Sequence, residues 1–109
     1  MEFLIIGLDR ADAGDLRNRL RTPHLEFVSD KQHHIKFGGP ILSDDDRMVG
    51  SVLILDFPTR ADLDAHLAED PYFTSGLFEA VFIRRTRQVV PEIEPGSLAR
   101  EIQRQTAGT

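Results

Sequence analysis

Three polar residues stand where chemistry could be built: His24, Ser51 and Asp70. On a helical wheel, His24 lies about 40° from Leu20 and about 80° from Leu16, bordering an apolar stripe completed by Phe27. Its ring therefore leans towards a sheet rather than into open water. An imidazole takes and returns a proton near neutral pH, which suits acid–base catalysis. The competing reading is a satisfied histidine on a helix surface. Asp70 precedes Pro71, and this pair opens helices by ordinary capping. Ser51 sits mid-strand among apolar neighbours, where a hydroxyl finds a partner, binds a substrate oxygen or merely leaves space. No Gly-x-Ser-x-Gly elbow surrounds it, so a hydrolase triad is not indicated.

The other polar clusters carry less. His33 and His34, read as adjacent strand residues, point to opposite faces and cannot share a metal. His66 stands alone on a helix. Asp44, Asp45 and Asp46 lack the glycine and terminal glutamate of a calcium loop and read as a solvated turn. The absence of cysteine excludes disulfides, thiolate–zinc sites, iron–sulfur clusters and thiol catalysis. Neither metal nor cofactor is expected. Gly38-Gly39-Pro40 does not match a phosphate loop, but allows a bulge or the close approach of a helix or ligand. Arg84, Arg85 and Arg87 form the one basic cluster, with Arg85 and Arg87 on one strand face and Arg84 on the other. A solvated strand end, an ion pair or an anionic substrate at a cleft mouth would each use it.

These residues need a scaffold. The chain has 109 residues, 40% of them hydrophobic, enough for one domain with a core. With 13 Lys+Arg against 18 Asp+Glu its net charge is -5, which argues against a nucleic-acid clamp. No run approaches the roughly 18 apolar residues of a membrane span, and the first residues lack a basic leader, so a cytoplasmic protein is expected.

Short apolar runs bounded by turn residues predict strands over 2–9, over 34 or 35 to 41, over 48–57, and from 77 to about 90. In the last, Phe78, Ala80 and Phe82 oppose Val81 and Ile83. Thr22-Pro23 predicts a break between helices over 13–20 and 23–32. Thr59-Arg60-Ala61-Asp62 reads as a capping box opening a helix through Leu63, Leu67 and Ala68. Asp70-Pro71 opens a short turn closed near Gly76. The order β-α-β-β-α-β is that of a ferredoxin-like α+β fold with an antiparallel sheet.

Strands 1, 3 and 4 are apolar on both faces, and two helices cover only one. A homodimer packing sheet on sheet, a dimeric α+β barrel, would bury the other face. The domain spans 1–90. A polar extension follows over 91–109, opened by Pro91, Pro95 and Gly96. Ser97 as N-cap, with Leu98 and Ile102 at i,i+4 spacing, predicts a short helix that docks on a partner subunit or frays.

Four ordered pieces then become recognisable: Arg21-Thr22-Pro23-His24-Leu25, Gly38-Gly39-Pro40, Gly50-Ser51 and Asp70-Pro71-Tyr72-Phe73-Thr74-Ser75-Gly76-Leu77. The chain resembles the YCII-related (YciI-like) family of small dimeric α+β barrel proteins over roughly residues 1–90. The resemblance implies a homodimer or a higher assembly, and a pocket holding a His–Asp pair. Matched residue by residue, the pair is His24 and Asp70, with Ser51 as a polar neighbour and Gly39, Tyr72 and Arg21 as further substrate-binding positions. A carboxylate on one ring nitrogen would fix the tautomer and raise the basicity of the other.

Related dehydrochlorinases and the similar muconolactone isomerases act on small rings by proton transfer. The resemblance thus implies an isomerase or a dehydrochlorinase-like lyase acting on a small cyclic metabolite without a cofactor. The alternative is a non-catalytic small-ligand binding or structural dimer module. The chain departs from the family in Lys31-Gln32-His33-His34, in the compact Ser43–Arg47 turn and in its tail.

Overall fold

The structure, a computed structural model, describes residues 1–108; Thr109, the last residue of the expected extension, lies outside them. Four strands form: β1 (Glu2–Asp9), β2 (Ile35–Leu42), β3 (Met48–Asp56) and β4 (Phe78–Thr86). The helices are α1 (Leu16–Ser29), α2 (Arg60–Leu67), the short α3 (Pro71–Thr74) and α4 (Ser97–Ala107). The sheet is antiparallel with strand order β2-β3-β1-β4, the ferredoxin-like arrangement. No helix among the described residues is long and apolar enough to cross a membrane.

Alternation sorts the strands into two faces. Phe3 and Ile5 of β1 face the helices with Leu53 and Leu55 of β3, and join Phe57, Leu63 and Leu67 in the core. The opposite face holds Leu4, Ile6, Val52, Ile54 and Phe82, paired across strands. This outer face stays partly open: Leu8, Phe37 and Phe82 are 44%, 53% and 46% exposed.

The caps form, though the Asp62 carboxylate accepts from the Thr59 hydroxyl and not from its backbone N–H, so the box at Thr59 is half made. Thr59 Oγ1 accepts from the Asp62 N–H at 3.1 Å. Asp70 accepts from the Tyr72 N–H at 3.0 Å with Pro71 in the first helical position. Gly76 closes that turn at φ +77°, a left-handed conformation suited to glycine.

Several boundaries differ from expectation. The break at Thr22-Pro23 does not occur: α1 runs through Pro23 without interruption. Pro23 lies on the exposed side, as does Arg19 four residues earlier, so the unpaired Arg19 carbonyl can be hydrated. β4 ends at Thr86 instead of near Val90, because Thr86 pairs with Glu2, where β1 begins. Beyond that point no neighbouring strand remains.

Phe78 does not share a face with Ala80 and Phe82. The register shifts between Leu8 and Asp9, leaving Glu79 unpaired and turning Phe78 to the helical side. There its ring covers Gly7, where a Cβ would meet it at 2.8 Å. In β2 the irregularities fall between Ile35 and Phe37 and between Ile41 and Leu42, flanking Gly38-Gly39-Pro40 rather than lying within it.

His33 and His34 occupy a 3₁₀ turn, not a strand, so their rings meet at 4.1 Å between centroids instead of diverging. No group of three or more potential metal-ligating side chains forms among the described residues. Ser97 is the first helical residue of α4 and not its cap; Gly96 takes that position at φ +86°. Asp44–Asp46 lie in the β2–β3 turn, where Ser43 and Arg47 engage the Asp45 carboxylate and hold its pKa below the usual range.

Candidate active site

Helix α1 buries two polar side chains, Arg17 and His24, while Leu16, Leu20 and Phe27 remain only half-buried. Seven residues separate the pair, which is two turns, so both project from one stripe. That stripe lies over the sheet beside Ser51 and over the start of α3. A core-facing helix that spends its innermost line on charge and imidazole has built a site there.

His24 Nδ1 lies 2.8 Å from Asp70 Oδ1, across 46 positions of sequence. The same oxygen accepts the Tyr72 N–H. Asp70 is 1% exposed, so its cap and its bond to histidine both form away from water. A carboxylate oxygen accepts, and Nδ1–H must therefore donate. That assigns the tautomer with a lone pair on Nε2, for which no protein donor exists among the described residues. The His24 ring stacks on Tyr72, centroids 3.8 Å apart and planes 8° from parallel. Ring and carboxylate are thus both held.

Arg17 forms a second anchored group. Its Nε and Nη2 donate to the two carboxylate oxygens of Asp9 at 2.7 and 2.8 Å, and Nη2 also donates to Ser51 Oγ at 3.0 Å. Burial, the largest single influence, acts to lower the Arg17 pKa. The bonds and charge of Asp9, with a smaller contribution from Tyr72, outweigh it and raise the value above arginine's ordinary one. Arg17 is a buried permanent cation whose Nη1 has no protein acceptor among the described residues. Its guanidinium carbon lies 4.6 Å from the centre of the Tyr72 ring. The buried Tyr72 hydroxyl lies near that guanidinium but has no hydrogen-bond partner of good geometry.

These groups meet at a half-open cavity of about 430 Å³ between α1 and the sheet. Of the residues singled out from sequence, His24, Ser51, Gly39, Tyr72 and Arg21 all reach its wall. Asp70 is not part of the wall and meets the site through its bond to His24. Arg21 is fixed by a contact of Nη1 with Met48 Sδ at 3.0 Å. At Gly38, not Gly39, a Cβ would press on a neighbour, Leu53 at 3.1 Å; at Gly39 it would have ordinary room.

Arg17 and Asp9 were not singled out by the sequence reading. The signal was present in the seven-residue spacing of Arg17 from His24 and in an acid closing β1. The basic cluster at the end of β4 lies elsewhere: Arg84 covers Phe82, and Arg87 pairs with Glu101 at 2.6 Å.

Comparison with curated proteins gives no match. Among solved structures, the chain is similar to 5-chloro-2-hydroxyhydroquinone dehydrochlorinase (TftG) from Burkholderia phenoliruptrix AC1100, solved with 2,5-dihydroxybenzoquinone. The two are 30% identical over 81% of this chain and 95% of that one, with a TM-score of 0.75. An antibiotic biosynthesis monooxygenase is 16% identical over 80% of this chain and 98% of its own, at a TM-score of 0.47. The sequence matches the YCII-related domain over residues 1–87, most of its length: the chain belongs to the YCII-related domain family.

Proposed function

We propose that this protein is a cofactor-independent acid–base enzyme, an isomerase or a dehydrochlorinase-like lyase, acting on a small hydroxylated ring. The observation that carries the reading is the 2.8 Å bond from His24 Nδ1 to a sealed Asp70, with the other ring nitrogen unpaired at a cavity wall. Asp70 orients the ring and fixes its tautomer. Nε2 takes a hydroxyl proton from the substrate and returns it later.

Arg17, held by Asp9 and Ser51, faces the oxyanion that this step creates, with its charge already in place before reaction. In a dehydrochlorination the ring carbon bearing chlorine gains a proton, and chloride leaves with the bonding pair. The net loss is HCl, and the product is a quinone, so no external oxidant is required. In an isomerisation the proton returns to a different carbon. The cavity volume falls in the range usual for small-ligand sites. The similarity to a dehydrochlorinase that binds 2,5-dihydroxybenzoquinone supports the substrate class.

The protein works as a homodimer in this reading. The outer sheet face presents Leu4, Ile6, Leu8, Phe37, Ile54 and Phe82 side by side, an apolar expanse that a soluble monomer rarely leaves in water. Packing two such sheets face to face removes it.

The test is direct. Purified protein is incubated with 5-chloro-2-hydroxyhydroquinone and a panel of hydroxylated aromatics and lactones, with chloride release and product masses followed. Conversion by the wild type and none by His24→Ala is expected. Equal conversion by both on a verified substrate would overturn the assignment.

A further inference from the structure

The YCII-related match ends at residue 87, yet the chain continues as an ordered arm. The arm is braced within itself. Arg87 pairs with Glu101, Arg104 also pairs with Glu101, Arg100 with Glu94, and Glu92 accepts the Leu98 N–H at 3.1 Å. The two arginines hold Glu101 down to about 2, well below the usual carboxylate value.

The arm nevertheless buries little of its apolar surface. Val90, Ile93 and Ile102 are 64%, 66% and 60% exposed. The radius of gyration, 16.6 Å, exceeds the roughly 13 Å of a compact chain this long, and the longest dimension is 52 Å. The arm reaches outward instead of folding back.

Its root is continuous with the outer sheet face. A groove of about 420 Å³ is walled by Phe37 and Ile54 of that face and by Val89, Val90 and Pro91 of the arm. Four strands of about eight residues offer a flat footprint on the order of 500 Å². A standard stable interface takes about 800 Å² of accessible surface per partner, so apolar surface added beside the sheet contact would strengthen it. Charge points the same way. Arg87, Arg100 and Arg104 balance Glu92, Glu94 and Glu101, so the arm is neutral while the chain carries -5. A neutral arm can approach a second acidic body without the repulsion that two bodies feel.

We propose that residues 87–108 form a clasp that closes on a second copy of this chain, its exposed Val90, Ile93 and Ile102 packing against the partner beside the sheet–sheet contact. The clasp rests on the homodimer proposed above.

The experiment uses the full chain. Sedimentation over a dilution series gives the dimer Kd of the wild type and of the doubly substituted Ile93→Asp, Ile102→Asp protein, with circular dichroism to verify folding. The chain has no cysteine, so Ile102→Cys places a single thiol on the arm. Its modification rate is read above and below the Kd. A dimeric wild type, a Kd raised about 100-fold or more by the aspartates, and a thiol protected only in the dimer are expected. A dimeric wild type with an unchanged Kd in the variant and a thiol equally reactive at both concentrations would overturn the clasp alone. A monomeric wild type would overturn the dimer and the clasp together.

Discussion

His24 lies face to face with Tyr72 at 3.8 Å, while the edge of its ring is bonded to Asp70, two residues before that tyrosine. One short turn therefore fixes the imidazole by edge and by face, and the Tyr72 N–H caps the same carboxylate oxygen that the histidine uses. Asp70→Asn separates these duties. Asparagine is as good an N-cap as aspartate, so α3 should persist. The amide presents no negative charge to Nδ1–H, and its NH2 can donate to an unprotonated Nδ1 instead, which favours the wrong tautomer. Turnover should fall about 10²–10⁴-fold with little change in the circular dichroism spectrum. Full activity in this variant would remove Asp70 from the mechanism.

Tyr72 supplies a cleaner probe of ligand contact. Its hydroxyl is buried without a partner, a state that costs about 1–3 kcal/mol. Tyr72→Phe should leave the ligand-free protein at least as stable as the wild type, measured by denaturant titration. Under the proposed function, affinity for a hydroxylated ring should drop, because a ligand oxygen would give the phenol the partner it lacks. A destabilised variant with unaltered affinity would mean that the hydroxyl serves the fold.

Asp9 and Arg17 test the oxyanion site. Their ion pair is largely enclosed, and removing one member strands the other. Asp9→Ala should cost about 3 kcal/mol of stability and loosen Arg17 from Ser51. Arg17→Lys keeps the charge but not the two-point geometry. Steady-state kinetics of Arg17→Lys should show kcat falling more than KM rises, since in the proposed reaction the cation meets the charge that develops.

Much of this architecture could be read from the sequence because strands and caps declare themselves locally. Alternation marked β1 and β3, and Thr59 and Asp70 capped helices as their neighbours foretold. Where the reading failed, a non-local fact decided. Pro23 is tolerated because its face of α1 is wet, and Phe78 changes sides because a bulge lies opposite Leu8 and Asp9. β4 stops where its partner strand begins. The His24–Asp70 contact spans 46 positions, and no spacing rule reaches that far. Only the resemblance suggested it. Arg17 went unremarked because an arginine on a helix is ordinarily a surface residue.

His66 gives a pH prediction independent of catalysis. It is buried between Phe27 and Phe57, each 5.0 Å away between ring centres. Burial is the main cause pushing its pKa below the usual histidine value. Asp70 and Glu69 oppose this, while His34 and Lys31 reinforce it. With the folded pKa below the unfolded one, the unfolded chain binds the extra proton first as pH falls. Stability from this residue is therefore intact above about pH 6.5 and is lost below it. His66→Phe has no proton to gain. Urea titrations at pH 7.5 and 5.5 should show the wild type losing more stability than the variant over that interval. Equal losses would show that His66 contributes nothing to the acid sensitivity of the fold.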